Sequence, residues 1–191
     1  AKQAMAGIWD EPTPDFIIRP SFELTTQFLN DILCHLNSQE TRVVLDLEIE
    51  HEKISCVGFT YKPDQAICIP FQFKDGSRYW NIEEELSVRE LINEILLHPN
   101  CELEGQNLLF DLQWIYEEWF IKPRIDFDTM IGHHCIWPGG GDPTSQKAAA
   151  QGVQMKALYN IASFYCTYYY YWKDEGKTFE TGGGSEEQGW A

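Results

Sequence analysis

The sequence has few basic residues and no long apolar run. Only 14 Lys and Arg stand against 30 Asp and Glu in 191 residues, which leaves a formal charge of −16. A field of this sign repels nucleic acid and anionic membranes, so we expect any contact with DNA to be local or bridged by metal ions. The apolar runs are too short to span a bilayer, and the first residues lack both an initiator Met and the apolar core of a signal peptide. We therefore predict no membrane contact and expect a fragment or a processed chain.

The cysteines form no CxxC pair, which argues against a structural zinc site and against a disulfide scaffold. Most of them lie inside apolar stretches, which is typical of reduced, buried thiols in a cytosolic protein. We therefore expect a cytoplasmic protein. The six cysteines are Cys34, Cys56, Cys68, Cys101, Cys135 and Cys166.

The hydrophobic pattern predicts one α/β domain with a mixed sheet. Residues 1–20 contain three prolines and no sustained period, so we expect an irregular lead-in. Three strands joined by short turns predict an antiparallel meander, and they lie at 42–50, 54–61 and 66–71. Helices and short strands follow in alternation, which favours the α/β class. The predicted helices are 21–36, 83–97, 106–119, 128–137 and 145–166, and the predicted short strands are 101–103 and 124–125.

Two carboxylates lie on one face of the first predicted strand of the meander. Because side chains alternate along a strand, Asp46 and Glu48 point away from the face of Val43, Leu45 and Leu47. Like charges on a central strand repel, and a divalent metal ion removes that penalty because hard cations prefer oxygen ligands. Residues two apart on a strand are roughly 6.6 Å apart, a spacing that brackets two ions about 4 Å apart. The alternative is an edge strand with a solvated acidic face.

A second constellation follows the short strand at 101–103. Asn107 and Asp111 are four residues apart, which predicts that they stack on one helical face near its N-terminus. Gly105, at the junction of strand and helix, allows the helix to approach the sheet closely. The alternative is an ordinary Asn cap followed by an exposed Asp in the first turn.

Two further features near residue 130 have structural explanations. Asp128 is best interpreted as the N-cap of the helix that follows it. His133 and His134 are adjacent, so on a helix they point about 100° apart and cannot both bind one metal ion. We expect one of them to be buried and the other exposed.

These segments resemble the first two motifs of the DEDD (DnaQ-like) 3′–5′ exonucleases, and most closely the proofreading domain of phage-type family A DNA polymerases. The motifs are Asp46-x-Glu48 and Gly105-Gln-Asn107-x-x-x-Asp111, and supporting stretches lie at 54–59, 66–71 and 127–134. The resemblance implies a ribonuclease H-like fold over residues 21–174. It also implies that two Mg²⁺ or Mn²⁺ ions are held by Asp46, Glu48 and Asp111, and that Asn107 contacts the substrate. The implied substrate is the 3′ end of single-stranded DNA, with a polymerase domain expected C-terminal to this chain.

The family also uses a fourth carboxylate, usually in a Tyr-x-x-x-Asp motif in which the Tyr orients the attacking water. Tyr170 and Asp174 have this spacing. In the family, however, the third motif follows a polar spacer, and the Gly-rich residues 175–191 look like that spacer. The fourth ligand is therefore either Asp174 or a residue beyond Ala191, and in the second case the tail is truncated before the third motif.

Two other functions of this fold remain open, and a third alternative is an acidic partner-binding domain with no enzymatic ancestry, whose carboxylates would be spread over solvated faces. The same fold could act on RNA, as ribonuclease D-type exonucleases do. It could also be a non-catalytic scaffold or interaction module, for which the missing fourth ligand and the charge of −16 are the supporting features.

Overall fold

The computed structural model describes residues 15–138 and 156–166, and within them the chain forms one six-stranded mixed sheet. The strand order is β1-β4-β3-β2-β5-β6. The central pairs β2–β3 and β3–β4 are antiparallel, whereas the outer pairs β1–β4, β2–β5 and β5–β6 are parallel. The strands are β1 (Asp15–Ile18), β2 (Thr41–Glu50), β3 (Lys53–Lys62), β4 (Gln65–Pro70), β5 (Cys101–Gly105) and β6 (Phe127–Asp128).

The helices begin at residues that suit a helix N-terminus. Ser21 caps the first helix by accepting the N–H of Leu24, and Asn81 forms a reciprocal capping box with Glu84 at the start of the second. The predicted meander, the predicted cap at Ser21 and the α/β class are confirmed. The helices are α1 (Phe22–Leu36), α2 (Ile82–Leu96), α3 (Leu108–Trp119), α4 (Thr129–Ile136) and α5 (Leu158–Tyr165).

The hydrophobic core lies on one face of the sheet. Val43, Leu45 and Leu47 of β2 are buried, and they belong to one cluster with the apolar stripes of α1 and α2. The intervening side chains of β2 are exposed on the opposite face. Burial of the apolar stripes is the main source of stability of such a layer, and it fixes which face of β2 presents its polar side chains.

Three predictions of local structure are wrong in part. Asp15–Ile18, within the predicted irregular lead-in 1–20, form β1 beside β4. The short strand predicted at 124–125 lies at Phe127–Asp128, because these are the residues that pair with Glu104 and Gly105 of β5. The helix predicted at 145–166 does not run through Ala157, which is extended, and α5 begins at Leu158. Residues 145–155 lie outside the described residues.

Candidate active site

β2 places two carboxylates on the sheet face opposite the core. Asp46 and Glu48 are exposed, as the predicted alternation requires. In the antiparallel ladder Asp46 lies opposite Gly58 and Glu48 opposite Cys56, so small side chains on β3 flank both carboxylates. A β-bulge follows directly, where the register shifts between Glu48 and Ile49. Bulges re-aim the side chains beside them and are frequent next to active sites.

Helix α3 approaches this strand because β5 ends in a glycine. A Cβ atom on Gly105 would lie 2.5 Å from Leu108 Cδ2 and 2.9 Å from the backbone oxygen of Leu45. Any larger residue there would therefore force α3 away from β2. The predicted close approach at Gly105 is confirmed, and it brings the first turn of α3 to the part of β2 that carries the carboxylates.

Asp111, in the first turn of α3, binds the backbone of β2. Its Oδ1 accepts the N–H of Leu47 at 2.9 Å, and only 4% of the residue is exposed. The last residue pair of β2 and β5 is Val44 with Glu104, so Leu47 lies beyond the end of the neighbouring strand. The Asp111 carboxylate therefore supplies a hydrogen-bond acceptor for β2 beyond the end of β5. The residue that it binds, Leu47, lies between Asp46 and Glu48 in the sequence.

The carboxylate of Asp111 lies beside Asp46, because it accepts the N–H of the next residue, Leu47. Burial, followed by the negative charge of Asp46, raises the pKa of Asp111 to about 6. The hydrogen bond from Leu47 opposes this rise, and the charge of Asp128 adds to it. A buried carboxylate facing another carboxylate is the arrangement in which a bound cation is most strongly favoured.

Asp128 organises the same end of the site by capping two helices. Its Oδ1 and Oδ2 accept the N–H groups of Asn107 at 3.1 Å and Leu108 at 2.8 Å, at the start of α3. Its Oδ1 also accepts the N–H groups of Met130 and Ile131 at the start of α4. The predicted cap of α4 is confirmed, and the bonds to α3 show that one buried carboxylate fixes both helix N-termini.

Asn107 differs from the prediction. It is the N-cap of α3, in a left-handed conformation with φ 58°, and its side chain makes no capping bond. It therefore precedes the helix instead of stacking on the helical face of Asp111, and its side chain is exposed beside the site. Tyr170 and Asp174, the candidates for the third motif, lie outside the described residues.

The carboxylate oxygens of the site are ligands that suit a hard divalent cation, although among the residues that the structure describes three of them are not gathered around one point. Asp46 and Asp111 are near enough for the charge of one to raise the pKa of the other, and Asp111 Oδ2 is the atom with which this residue would coordinate an ion. Glu48 lies two residues along the same strand face. Within residues 15–138 and 156–166, however, no three His, Cys, Asp or Glu side chains are gathered tightly enough to hold one ion.

The structure also shows features that sequence reasoning missed. Glu118 of α3 accepts the N–H of Ile54 at the β2–β3 bulge, at 2.6 Å. Its spacing of seven residues from Asp111 was the available signal, because such residues share one helical face. Cys56 and Cys68 lie on the carboxylate face, and the neighbouring thiol of Cys68, burial and the nearby carboxylates raise the pKa of Cys56. The predicted histidine pair is confirmed, with His133 buried and His134 exposed.

The sequence matches no known protein-family profile and no curated protein. Solved structures do match. NrnC of Brucella melitensis superposes with a TM-score of 0.51 at 14% identity, over 84% of this chain and 64% of that one. A structure described as the apo form of a nuclease gives a TM-score of 0.51 at 10% identity, over 93% and 72% of the two chains. RNase D of Escherichia coli, described as an exoribonuclease involved in structured RNA processing, gives 0.42 at 15% identity, over 73% and 34%.

The similarity to NrnC and to the apo nuclease confirms the ribonuclease H-like fold. The chain spans about two thirds of the length of NrnC and about one third of RNase D. The B. melitensis protein has also been solved with bound Mg²⁺ and with pGG. No helix in the described part of this chain is long and apolar enough to cross a membrane.

Proposed function

We propose that this chain is a metal-dependent 3′–5′ exonuclease domain that removes nucleotides from the 3′ end of single-stranded DNA, as the proofreading domain of a DNA polymerase does. The observation that carries the proposal is the hydrogen bond that holds buried Asp111 at Leu47, the residue between Asp46 and Glu48. The negative charge of Asp46 contributes to the rise of the Asp111 pKa to about 6. A structural carboxylate gains nothing from a like-charged neighbour, whereas a pair of metal ligands requires one.

Each residue of the site has a distinct part in the proposal. Asp46, Glu48 and Asp111 hold two Mg²⁺ or Mn²⁺ ions together with a fourth carboxylate, for which Asp174 is the candidate in this chain. When bound, the ions supply an activated water and stabilise the leaving 3′ oxygen. Leu47 orients Asp111 through its N–H. Asn107, exposed at the N-terminus of α3, would contact the substrate strand. With a charge of −16, the chain depends on these ions to attract the scissile phosphate.

A non-catalytic ribonuclease H-like scaffold is the second candidate. It is favoured by one observation, that no three metal-binding side chains gather within the part of the chain that the structure describes. A scaffold would keep its carboxylates without binding Mn²⁺, so metal binding separates the two candidates.

The test uses matched DNA and RNA oligonucleotides, each labelled at its 5′ end, with Mn²⁺ and with either the wild type or Asp46→Ala. We expect a ladder of products shortened from the 3′ end of the DNA, and its loss in the variant. Faster degradation of RNA would replace the proofreading assignment with an RNA-directed exonuclease. Absence of cleavage together with absence of Mn²⁺ binding would contradict the proposal and leave the scaffold.

A further inference from the structure

Helix α3 is attached to the sheet at two points, and only one of them is a proposed metal ligand. Asp111 accepts the N–H of Leu47 on β2, and Glu118 accepts the N–H of Ile54 on β3. Seven residues are almost two full turns, so both carboxylates lie on one side of α3, about 10 Å apart along its axis. Two anchors on one face fix the rotation of a helix about its axis, which one anchor does not.

The second anchor lies at the bulge beside Glu48. The ladder pairs Glu48 with Cys56 and then Ile49 with Ile54, so Ser55 is the extra residue of β3. The backbone around it is held from outside the β2–β3 ladder. Besides the bond from Ile54 N–H to Glu118, the oxygen of Ile54 accepts the side-chain amide of Gln72, and the oxygen of Ser55 accepts the N–H of Phe71. Glu118 therefore joins α3 to the irregular segment that faces Glu48.

Two basic side chains, Arg89 and Lys53, lie near the partly buried carboxylate of Glu118. The guanidinium of Arg89 lies 5.2 Å from the centre of the Trp119 ring, next to Glu118 in sequence. Burial raises the pKa of Glu118 above its ordinary value, although the Ile54 hydrogen bond and the charges of Arg89 and Lys53 oppose this rise. The Ile54 N–H donates to Glu118 Oε1 at 2.6 Å, and hydrogen bonds to an ionised carboxylate are about twice as strong as neutral ones.

We infer that Glu118 is a positioning residue for the carboxylate site. By tying α3 to the bulge of β3, it sets where Asp111 meets β2 and where Glu48 lies. Glu118 is not one of the proposed metal ligands, and its carboxylate is engaged by the Ile54 N–H. Its role in activity rests on the proposed exonuclease function, whereas its role in positioning can be measured without activity.

The test compares Glu118→Ala, which removes the acceptor, with Glu118→Gln, which retains an amide oxygen. Glu117→Ala is the matched control. Glu117 is the preceding residue of α3, is exposed, and accepts a hydrogen bond from the side-chain amide of Gln113. The first readout is amide hydrogen exchange of the metal-free proteins at Leu47 and Ile54. Ile32, buried in α1, reports global opening.

In Glu118→Ala, exchange at both Leu47 and Ile54 is expected to rise about tenfold, since a hydrogen bond to a charged group is lost. Ile32 is expected to stay unchanged, and Glu118→Gln is expected to restore protection. An increase confined to Ile54 would overturn the inference, because the anchor would then be local. An equal increase at Ile32 would overturn it as well, because Glu118 would then serve global stability alone.

The second readout is cleavage of the labelled oligonucleotide with Mn²⁺. Glu118→Ala is expected to lower kcat about tenfold with KM nearly unchanged, and Glu118→Gln to recover most of the loss. A kcat equal to that of Glu117→Ala would overturn the positioning role in catalysis. The proposed function fails if the wild type does not cleave the oligonucleotide, or if Asp46→Ala cleaves it equally well. In either case the exchange result still decides the inference about Glu118.

Discussion

Asp111 Oδ1 accepts the backbone N–H of Leu47 at 2.9 Å, although the two residues are 64 positions apart in sequence. The bond lies where β5 has ended and α3 has begun, so a side chain continues the hydrogen bonding of β2. Because Leu47 lies between Asp46 and Glu48 in β2, this bond places the carboxylate of Asp111 beside the strand that carries the other two carboxylates. The site thus depends on the end of β5, which leaves the N–H of Leu47 available to Asp111.

The raised pKa of Asp111 predicts how stability depends on pH. Its folded pKa of about 6 exceeds the ordinary value of 3.8. Between these two values the folded chain binds more protons than the unfolded chain, so this group lowers the free energy of unfolding as pH rises from about 4 to about 6. The shift corresponds to roughly 3 kcal/mol at pH 7.

Asp111→Asn removes this charge and keeps an oxygen that accepts the Leu47 N–H. We expect the metal-free variant to be more stable than the wild type at pH 7.5 by as much as about 3 kcal/mol, with the difference shrinking at pH 4.5. Urea unfolding in EDTA at the two pH values measures this. A variant that is less stable at pH 7.5 would show that the charge of Asp111 is satisfied by the fold itself.

Asp46→Ala is expected to separate stability from activity. The charge of Asp46 contributes to the raised pKa of Asp111, so its removal relieves repulsion in the absence of metal. We expect the variant to unfold at the same or a higher urea concentration in EDTA and to lose Mn²⁺-dependent cleavage. A large loss of metal-free stability would indicate that Asp46 is a structural residue.

Asp128→Ala is expected to be among the most destabilising single changes near the site. Asp128 is 5% exposed and accepts four backbone N–H groups at the starts of α3 and α4. Its loss should lower the free energy of unfolding by about 3 kcal/mol, since buried donors are left without acceptors. Ser21→Ala is the control, because Ser21 caps α1 with one exposed bond and should cost about 1 kcal/mol. Equal losses in urea unfolding would refute the double-cap role.

Gly105 and Gly58 provide a matched pair of glycine substitutions near Asp46. At Gly105 an added Cβ would overlap Leu108 and the backbone of Leu45, whereas at Gly58 it would meet the backbone oxygen of Asp46 at an ordinary 3.6 Å. Gly105→Ala should lower the free energy of unfolding by about 2 kcal/mol and displace α3 from β2. Gly58→Ala should change it little. A tolerated Gly105→Ala, judged by thermal unfolding and by Leu47 amide protection, would contradict the close approach.

Period-two and helical patterns predicted the meander, the α/β class and the face that carries Asp46 and Glu48, because these follow from local alternation. The sequence could not reveal β1, since Asp15–Ile18 form a strand only by pairing with β4 fifty residues later. It also missed the double cap of Asp128 and the anchor of Glu118, because each joins elements that are distant in sequence. The helix predicted from residue 106 begins two positions later, at Leu108, because Asn107 has a left-handed backbone conformation that cannot be part of the helix.

The central claim is that Asp46 and Asp111 bind divalent ions together, and Mn²⁺ titration tests it most directly. Wild type, Asp46→Ala and Asp111→Asn are compared at pH 7.5. Glu94→Gln is the control for the loss of one charge, because Glu94 lies on α2, which packs against the core face of the sheet. We predict Mn²⁺ binding by the wild type and by Glu94→Gln, and its loss in both site variants. Binding that persists unchanged in both site variants would contradict the account.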